Sequence, residues 1–324
     1  AHMYGMSFEF LFEFLHGCHV FYLTRVPSPA IIAQAFKDVK PAIVIAVPLV
    51  IEKIIRKKVF PQIQNTKVKL LMKMPGVGKK VKKRICEQVY QAFGGNLYEV
   101  IIGGAALNQE IESFLKDIDF PFTVGYGATE CAPIITYSDW HDFVPMSCGR
   151  EVVHMEVKID SENPETVPGE ILARGLNVML GYYKNDEATA QTIDKDGWYH
   201  TGDLGLMDKG GNVFIKGRSK NMLLGPNGQN IYPEEIEDKL NSMTFAMESV
   251  VVQRDGKLVG LVHPDFDEVL AMGLSRDDLQ SLMEENRVQV NANLPVYCKI
   301  AAIEIHDEEF EKTPKKSIKR YLYK

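Results

Sequence analysis

Two stretches hold most of the side chains that could do chemistry. The first is Gly125-Tyr-Gly-Ala-Thr-Glu130, which gathers two glycines, an aromatic ring, a hydroxyl and a carboxylate in six residues. Glycine lets a backbone approach a ligand closely, and a tyrosine ring offers a flat face to a purine. A threonine hydroxyl can meet a phosphate oxygen, and a glutamate is a hard oxygen ligand for Mg2+. The plainer reading is a tight turn followed by a helix that Thr129 caps. The second stretch runs from Tyr199 to Glu237: Tyr-His-Thr-Gly-Asp-Leu-Gly at 199 to 205, Ile-Lys-Gly-Arg-Ser-Lys at 215 to 220, and Gly-Pro-Asn-Gly-Gln-Asn-Ile-Tyr-Pro-Glu-Glu-Ile-Glu at 225 to 237. A fixed carboxylate at Asp203 suits a pair of sugar hydroxyls, and the guanidinium of Arg218, across what reads as a β-hairpin, suits a phosphate. The bland alternatives are a turn aspartate bonding its own backbone and plain exposed charges at Arg218 and Lys220. His200, beside Trp198, reads as a packed, half-buried histidine, because no Ser or Cys nucleophile is spaced to use it as a base. Asp194 to Gly197 reads as a turn.

These residues need a scaffold, and the hydrophobic pattern supplies one. Between residues 6 and 150, helical patterns at about 7–17, 29–38, 48–60, 77–93 and 108–118 alternate with strand-like runs at 19–23, 42–47, 98–102 and 122–126. This rhythm predicts an α/β fold, a layered, mostly parallel sheet with helices. Ligands of such sheets sit beyond the carboxyl ends of the strands, so Gly103-Gly104-Ala105-Ala106 and Gly125 to Glu130 are expected to line one crevice. From 151 to 217 short β segments at 155–159, 170–174 and 212–215 predict a small β-barrel-like or antiparallel subdomain. Residues 218–324 read as a small α+β domain: a helix opened by Pro233, strands at 248–253, 257–262 and 300–305, a helix near 275–293, and a basic tail. The expected divisions are thus 1–150, 151–217 and 218–324.

Composition narrows the function classes. A net charge of -6 argues against a dedicated nucleic-acid binder. The five cysteines, Cys18, Cys86, Cys131, Cys148 and Cys298, contain no C-x-x-C pair, which suggests neither a disulfide framework nor a zinc site. A reducing, cytoplasmic setting is the default expectation. Between Glu52 and Arg84, twelve Lys or Arg face a single acid. Such a run is usually a solvated face; the alternative is a patch for anionic lipid headgroups, giving peripheral contact at the inner face of a membrane through residues 53–84. Ala1-His2-Met3 has the look of a cloning scar, although His2 also makes sense as native. A chain that opens directly in an apolar segment reads as part of a longer protein.

Taken in order, Tyr126-Gly-Ala-Thr-Glu130, Gly169-Glu-Ile-Leu-Ala-Arg-Gly175, Gly181-Tyr-Tyr183, Gly197-Trp-Tyr-His-Thr-Gly-Asp203, Gly217-Arg218 and Ile231-Tyr-Pro-Glu-Glu-Ile-Glu237 resemble the motifs of adenylate-forming enzymes. The chain is similar to AMP-dependent synthetases and ligases, nearest to long-chain fatty acid CoA ligases, from its first residues to its last. The segment Val47-Pro-Leu-Val-Ile-Glu-Lys53 tilts toward the fatty-acyl branch. That resemblance implies a fatty acid and CoA as substrates, with ATP, AMP and Mg2+ as the other ligands. It implies that Tyr126 stacks on adenine beside Gly104, Ala105, Ala106 and Gly127, that Thr129 meets the α-phosphate, and that Glu130 holds Mg2+. Asp203 would take the ribose hydroxyls and Arg218 the ribose or phosphate. Lys220 would be a hinge, and Gly225, Gly228 and Asn230 would belong to a loop that serves the CoA step.

Two departures from the family pattern stand out. The Ser/Thr/Gly-rich phosphate loop ending in Pro-Lys-Gly is nowhere in these 324 residues, so little ATP-dependent ligation is expected from this chain alone. In the tail, Lys312-Thr-Pro-Lys-Lys-Ser-Ile-Lys-Arg320 puts Ser317 where the family has its catalytic lysine, leaving Lys316, then Lys319, as candidates beside Lys315. Two other functions stay open: an AMP or acyl-adenylate-binding module without chemistry, and an adenylating enzyme for another acid with a carrier-protein acceptor.

Overall fold

The computed structural model describes residues 3–22, 29–63, 70–72, 74–225, 228–313 and 318–323. The chain forms two compact units, Ala1–Thr201 with Gly205–Ile215, and Gly202–Leu204 with Lys216–Lys324.

The first unit opens with the helical run Met3–Met6, Ser7–Leu11 and Phe12–Leu15. The strand expected at 19–23 does not form over its described residues, 19–22. His19 and Phe21 instead stack on each other with centroids 4.1 Å apart, and among the described residues no strand pairs with them. Next come α1 (Pro29–Val39), β1 (Ile43–Ala46), α2 (Pro48–Ile54), α3 (Val77–Ala92), β2 (Glu99–Ile102), α4 (Gln109–Asp117) and β3 (Phe122–Val124). Pro48 can open α2 because the first helical position needs no N–H partner. Asn108 caps α4 by accepting from the Ile111 N–H, and Glu110 and Glu112 in its first turn suit the helix dipole. The three strands pair in parallel in the order β1-β2-β3. Apart from the buried Glu99 and Thr123 their residues are apolar on both faces, as suits a parallel sheet covered by helices. Val100, Ile102, Ile111 and Leu115 are fully buried between sheet and helix.

After β3 the chain makes the antiparallel trio β4 (Tyr126–Gly127), β5 (Ile134–Tyr137) and β6 (Arg150–Glu151). Then come β7 (Met155–Asp160), β8 (Gly169–Gly175), α5 (Asp186–Thr192), β9 (Tyr199–Met207) and β10 (Val213–Arg218). The four strands lie in the order β10-β9-β8-β7, with β7 and β8 antiparallel, the sheet rather than the barrel of the two forms expected here; no closed barrel forms among the described residues. Strict alternation explains β7: Met155, Val157 and Ile159 are buried while Glu156, Lys158 and Asp160 are exposed. One hydrophobic core runs from Val44 to Val213, so the expected parts 1–150 and 151–217 share it.

The second unit continues with β11 (Leu223–Leu224), β12 (Asn230–Ile231), α6 (Pro233–Asn241), β13 (Ala246–Arg254), β14 (Lys257–Pro264), α7 (Phe266–Ala271), α8 (Arg276–Ala292) and β15 (Ile300–Ile305). Strand β14 is central, antiparallel to β13 and parallel to β15. Ile236, Leu240, Val262, Met283, Val290 and Ile300 form the core beneath it. Helix α8 starts at a capping box in which Ser275 and Asp278 satisfy each other's backbone N–H. Helix α7, which the sequence pattern does not announce, is short and is set off by the Asp265 cap. None of the five cysteines is disulfide-bonded. Among the described residues no helix is long and apolar enough to cross a membrane.

Candidate active site

The two glycine turns of the first unit leave the sheet side by side. The Gly103 N–H donates to Ala46 O at 3.2 Å, and the Gly125 N–H donates to Ile102 O at 2.9 Å. Both turns therefore extend the carboxyl edge of β1, β2 and β3. Gly104, Ala105 and Ala106 are exposed there, with Gly104 at φ +87°. Gly103 lies against the Tyr4 ring, whose hydroxyl donates to Ile101 O at 3.4 Å; a Cβ on Gly103 would sit 2.9 Å from the ring. The turn is braced from below as well, since the Asn108 N–H donates to the Glu52 carboxylate at 3.0 Å.

In the second turn Tyr126 is 8% exposed and pairs across β4 with Thr136. Gly127 is required by packing: an added Cβ would fall 1.8 Å from Pro133 O. Thr129, Glu130 and Cys131 form a single 3-10 turn, so the α-helix that the plainer reading placed after Thr129 is absent, and Ala128 precedes the turn without a side-chain cap. Thr129 is exposed and Glu130 half-buried. The Tyr182 hydroxyl donates to Glu130 Oε1 at 2.9 Å, and no other described residue donates to the carboxylate. Burial first, and then the bond to Glu130, hold the Tyr182 hydroxyl above its ordinary pKa, so it remains a donor at neutral pH. Among the described residues no three His, Cys, Asp or Glu side chains cluster as a metal cage. One carboxylate with an open oxygen fits Mg2+ nonetheless, because that ion keeps waters and binds through one or two carboxylates plus ligand phosphates.

In the second unit Arg218 Nε lies 2.9 Å from Asp203 Oδ1, with side chains 64% and 10% exposed. Asp203 sits within β9, where Tyr199, Thr201 and Asp203 alternate inward, so it is a strand residue and not a turn aspartate. The end of β10 is pinned to the acidic start of α6. Lys216 Nζ is 2.8 Å from Glu235, Asn221 donates to Glu234 at 2.7 Å, and a Cβ on Gly217 would meet Glu234 Oε2 at 2.6 Å. Lys220 is exposed in the 3-10 turn Ser219–Asn221. Gly225 and Gly228 belong to the hairpin loop between β11 and β12, where the Gly225 N–H donates to Gln229 O at 2.8 Å and the Gly228 N–H to Gly225 O at 2.9 Å. Asn230 is exposed on β12. Lys319 Nζ is 3.1 Å from Glu311. Lys315, Lys316 and Ser317 lie outside the described residues, as does His2.

His200 is half-buried as expected, with Nδ1 2.9 Å from Glu170 and Nε2 3.7 Å from Asp194. Asp194 forms the expected turn by accepting the N–H groups of Asp196 and Trp198, which hold its carboxyl below the usual range. The basic run is partly accounted for by Lys82 against Asp117 and Arg56 against Glu110, while Lys79, Lys80, Lys83 and Arg84 are exposed on α3. Tyr182 and Glu52 stand in quoted motif segments, but sequence reasoning gave neither a role at the site. Tyr182 stands 52 positions from Glu130, a separation at which no local spacing can signal a contact.

A parallel sheet with two glycine turns at its carboxyl edge, a carboxylate beside an aromatic ring, and a trailing α+β unit define the fold class of the adenylate-forming enzymes. The chain matches the AMP-binding enzyme family over residues 1–183 and belongs to that family. Long-chain-fatty-acid–CoA ligase 1 of Saccharomyces cerevisiae is 27% identical over 289 residues, covering 82% of this chain and 41% of the relative. The 4-coumarate–CoA ligase 1 of Glycine max is 38% identical over 173 residues, covering 49% of this chain and 58% of that protein. In fold the chain is similar to o-succinylbenzoate coenzyme A synthetase from Bacillus subtilis solved with AMP, with a TM-score of 0.73 at 19% identity, over 100% of this chain and 58% of the other. The chain therefore spans less than two thirds of the length of each.

Proposed function

We propose that the protein to which this chain belongs joins a carboxylic acid to CoA by way of an acyl-adenylate, with a long-chain fatty acid as the acid. The observation that carries the reading is the pair of turns at the carboxyl ends of β2 and β3, with Tyr126 and Glu130 in the second. In the first step the acid's carboxylate oxygen attacks the α-phosphorus of ATP and pyrophosphate leaves. In the second, the CoA sulfur attacks the acyl carbonyl carbon, AMP leaves, and the thiol proton passes to solvent. Neither step needs a protein nucleophile, so the residues act by placement and by offsetting charge.

Tyr126 would stack on the adenine against Gly104, Ala105 and Ala106, the bare backbone of Gly127 would allow close approach, and Thr129 would donate to an α-phosphate oxygen. Glu130 would hold Mg2+, which when bound neutralises phosphate charge. Asp203 would accept the ribose hydroxyls, with Arg218 beside it as cation. Lys220 as hinge, Gly225, Gly228 and Asn230 as the CoA loop, and Lys316 or Lys319 as the tail cation complete the proposal. The division at 218 belongs to it too. Cytoplasmic placement, with peripheral contact of the basic run 53–84 on anionic headgroups, is part of the same reading; co-sedimentation with anionic vesicles tests it.

Calorimetric titration of the chain with AMP and with an acyl-adenylate tests the site directly, and failure to bind either would sink it. The 38% identity to a coumarate ligase favours an aryl acid as the second reading. Pyrophosphate release across fatty, aryl and amino acids separates these, and release with amino acids alone would remove the fatty-acid assignment. The same assay with the 324-residue chain tests the expectation that it binds the AMP half of the ligand and ligates little. Binding of AMP without pyrophosphate release in a longer protein carrying the phosphate loop would favour the non-catalytic module.

A further inference from the structure

We infer that Tyr182 is a positioning residue that holds Glu130 ready for its metal ion, as the tip of a strap, residues 177–182, that fastens the whole Glu130 turn. The inference rests on the reading of Glu130 given above and gives a role to Tyr182, which the sequence reading placed in the Gly181-Tyr-Tyr183 motif without assigning it one.

Four hydrogen bonds make the strap. The Asn177 amide donates to Cys131 O at 2.7 Å and to Ile134 O at 2.9 Å, the Met179 N–H donates to Glu130 O at 2.7 Å, and the Tyr182 hydroxyl donates to Glu130 Oε1 at 2.9 Å. Three of them hold backbone carbonyls, and the fourth holds the carboxylate itself. The strap is anchored at its far end. The Tyr182 N–H donates to Thr189 Oγ1 at 2.9 Å, and that hydroxyl donates in turn to Asn185 O at 2.9 Å, at the start of α5. Gly181 allows this closeness, since at φ +152° an added Cβ would lie 2.8 Å from Thr189 Cγ2. The phenol is thus located by a helix, and the carboxylate by the phenol.

A glutamate has three side-chain torsions to settle before it can ligate a cation. A donor on one oxygen settles them in advance and leaves the other oxygen to a cation. A bond to the charged carboxylate is also stronger than one between neutral groups. Outer partners of metal ligands behave in this way generally, and their loss weakens metal binding about ten- to a hundredfold.

The test uses Mn2+ as probe, added with ATP to the 324-residue chain, with unbound Mn2+ read by electron paramagnetic resonance and AMP affinity read by calorimetry in metal-free buffer. Tyr182→Phe should weaken Mn2+ binding about tenfold while leaving AMP affinity and the melting transition unchanged. Glu130→Gln should lose the Mn2+ site, and Tyr182→Phe in that background should have no further effect, since the two act as one unit. Thr189→Val, which loosens the strap without touching Glu130, should shift Mn2+ affinity the same way by less, and it serves if Tyr182→Phe fails to fold. Wild-type Mn2+ affinity in a folded Tyr182→Phe chain overturns the inference, as does an undiminished effect in the Glu130→Gln background. Wild-type chain that binds AMP but takes up no Mn2+ with ATP overturns it as well. Failure of the wild-type chain to bind AMP would instead bring down the functional reading, and this inference with it.

Discussion

Arg218 Nε stands 2.9 Å from Asp203 Oδ1, on adjacent strands, with the acid nearly covered and the guanidinium largely in solvent. An ion pair this exposed on one side contributes little to stability, about 1 kcal/mol at most. Arg218→Ala should therefore melt close to wild type, yet lose about tenfold in AMP affinity, roughly 1.4 kcal/mol, if the guanidinium faces the ribose or phosphate. Calorimetry alongside thermal unfolding separates the two effects. A drop in melting temperature with unchanged AMP affinity would make the pair purely structural.

Gly127→Ala is expected to be far worse than its size suggests. The new methyl would lie 1.8 Å from Pro133 O, and that atom belongs to backbone, which cannot swing away. The turn must open, so AMP binding should be lost while the far core at Ile111 and Leu115 stays folded. Hydrogen exchange would show the disturbance confined to about residues 125–137, and a variant that still binds AMP would remove Gly127 from the site.

Glu52→Gln weakens the brace under the other turn without removing the Asn108 cap of α4. A neutral amide oxygen still accepts, so the stability cost should be near 1 kcal/mol. Asn108→Ala keeps that backbone N–H but removes the cap, and should cost about 1–2 kcal/mol by denaturant unfolding. Both should loosen Gly104 to Ala106 and raise the Kd for AMP; a fall in stability with no change in Kd would separate this turn from the nucleotide.

Glu237 gives the chain a pH dependence. It is buried against Arg320, with the Val251 N–H donating to its other oxygen at 2.6 Å. Burial pushes its carboxyl up to about 7, against the pull of Arg320 and of that N–H. The folded state therefore holds a proton that the unfolded chain, with its ordinary value of 4.5, has already released. This contribution is full below the unfolded pKa and is lost as pH rises through the folded one, by an amount on the order of 3 kcal/mol. Between about pH 4.5 and 7 the wild type should lose stability relative to Glu237→Gln, as measured by urea unfolding. Parallel pH profiles for the two would show that the carboxyl does not titrate in that window.

Part of this was legible in order along the chain. The apolar run ending at Ile102 reads as a buried strand because parallel strands are covered on both faces, and the helical pattern at about 108–118 meets the helix Gln109–Asp117. The strand expected at 19–23 looked equally apolar and failed over residues 19–22, because apolar character does not supply a neighbour to pair with. Which of barrel and sheet the segments from 155 to 218 would form was illegible for the same reason: alternation specifies a strand and its inward face, whereas closure depends on partners elsewhere.

The sequence by itself determined the tools and their order: the glycine turns, the acid in Gly125 to Glu130, and the hairpin carrying Asp203 and Arg218. Local spacing carries that information, since turns, caps and strand faces are set by neighbours a few residues away. Only the tertiary structure decided that Asp203 points inward from β9, that Glu52 braces the first turn, and that Tyr182 reaches Glu130 across 52 positions. Those contacts arise because packing brings distant segments within the 3 Å or so at which a hydrogen bond forms, and no periodicity in the chain records that distance.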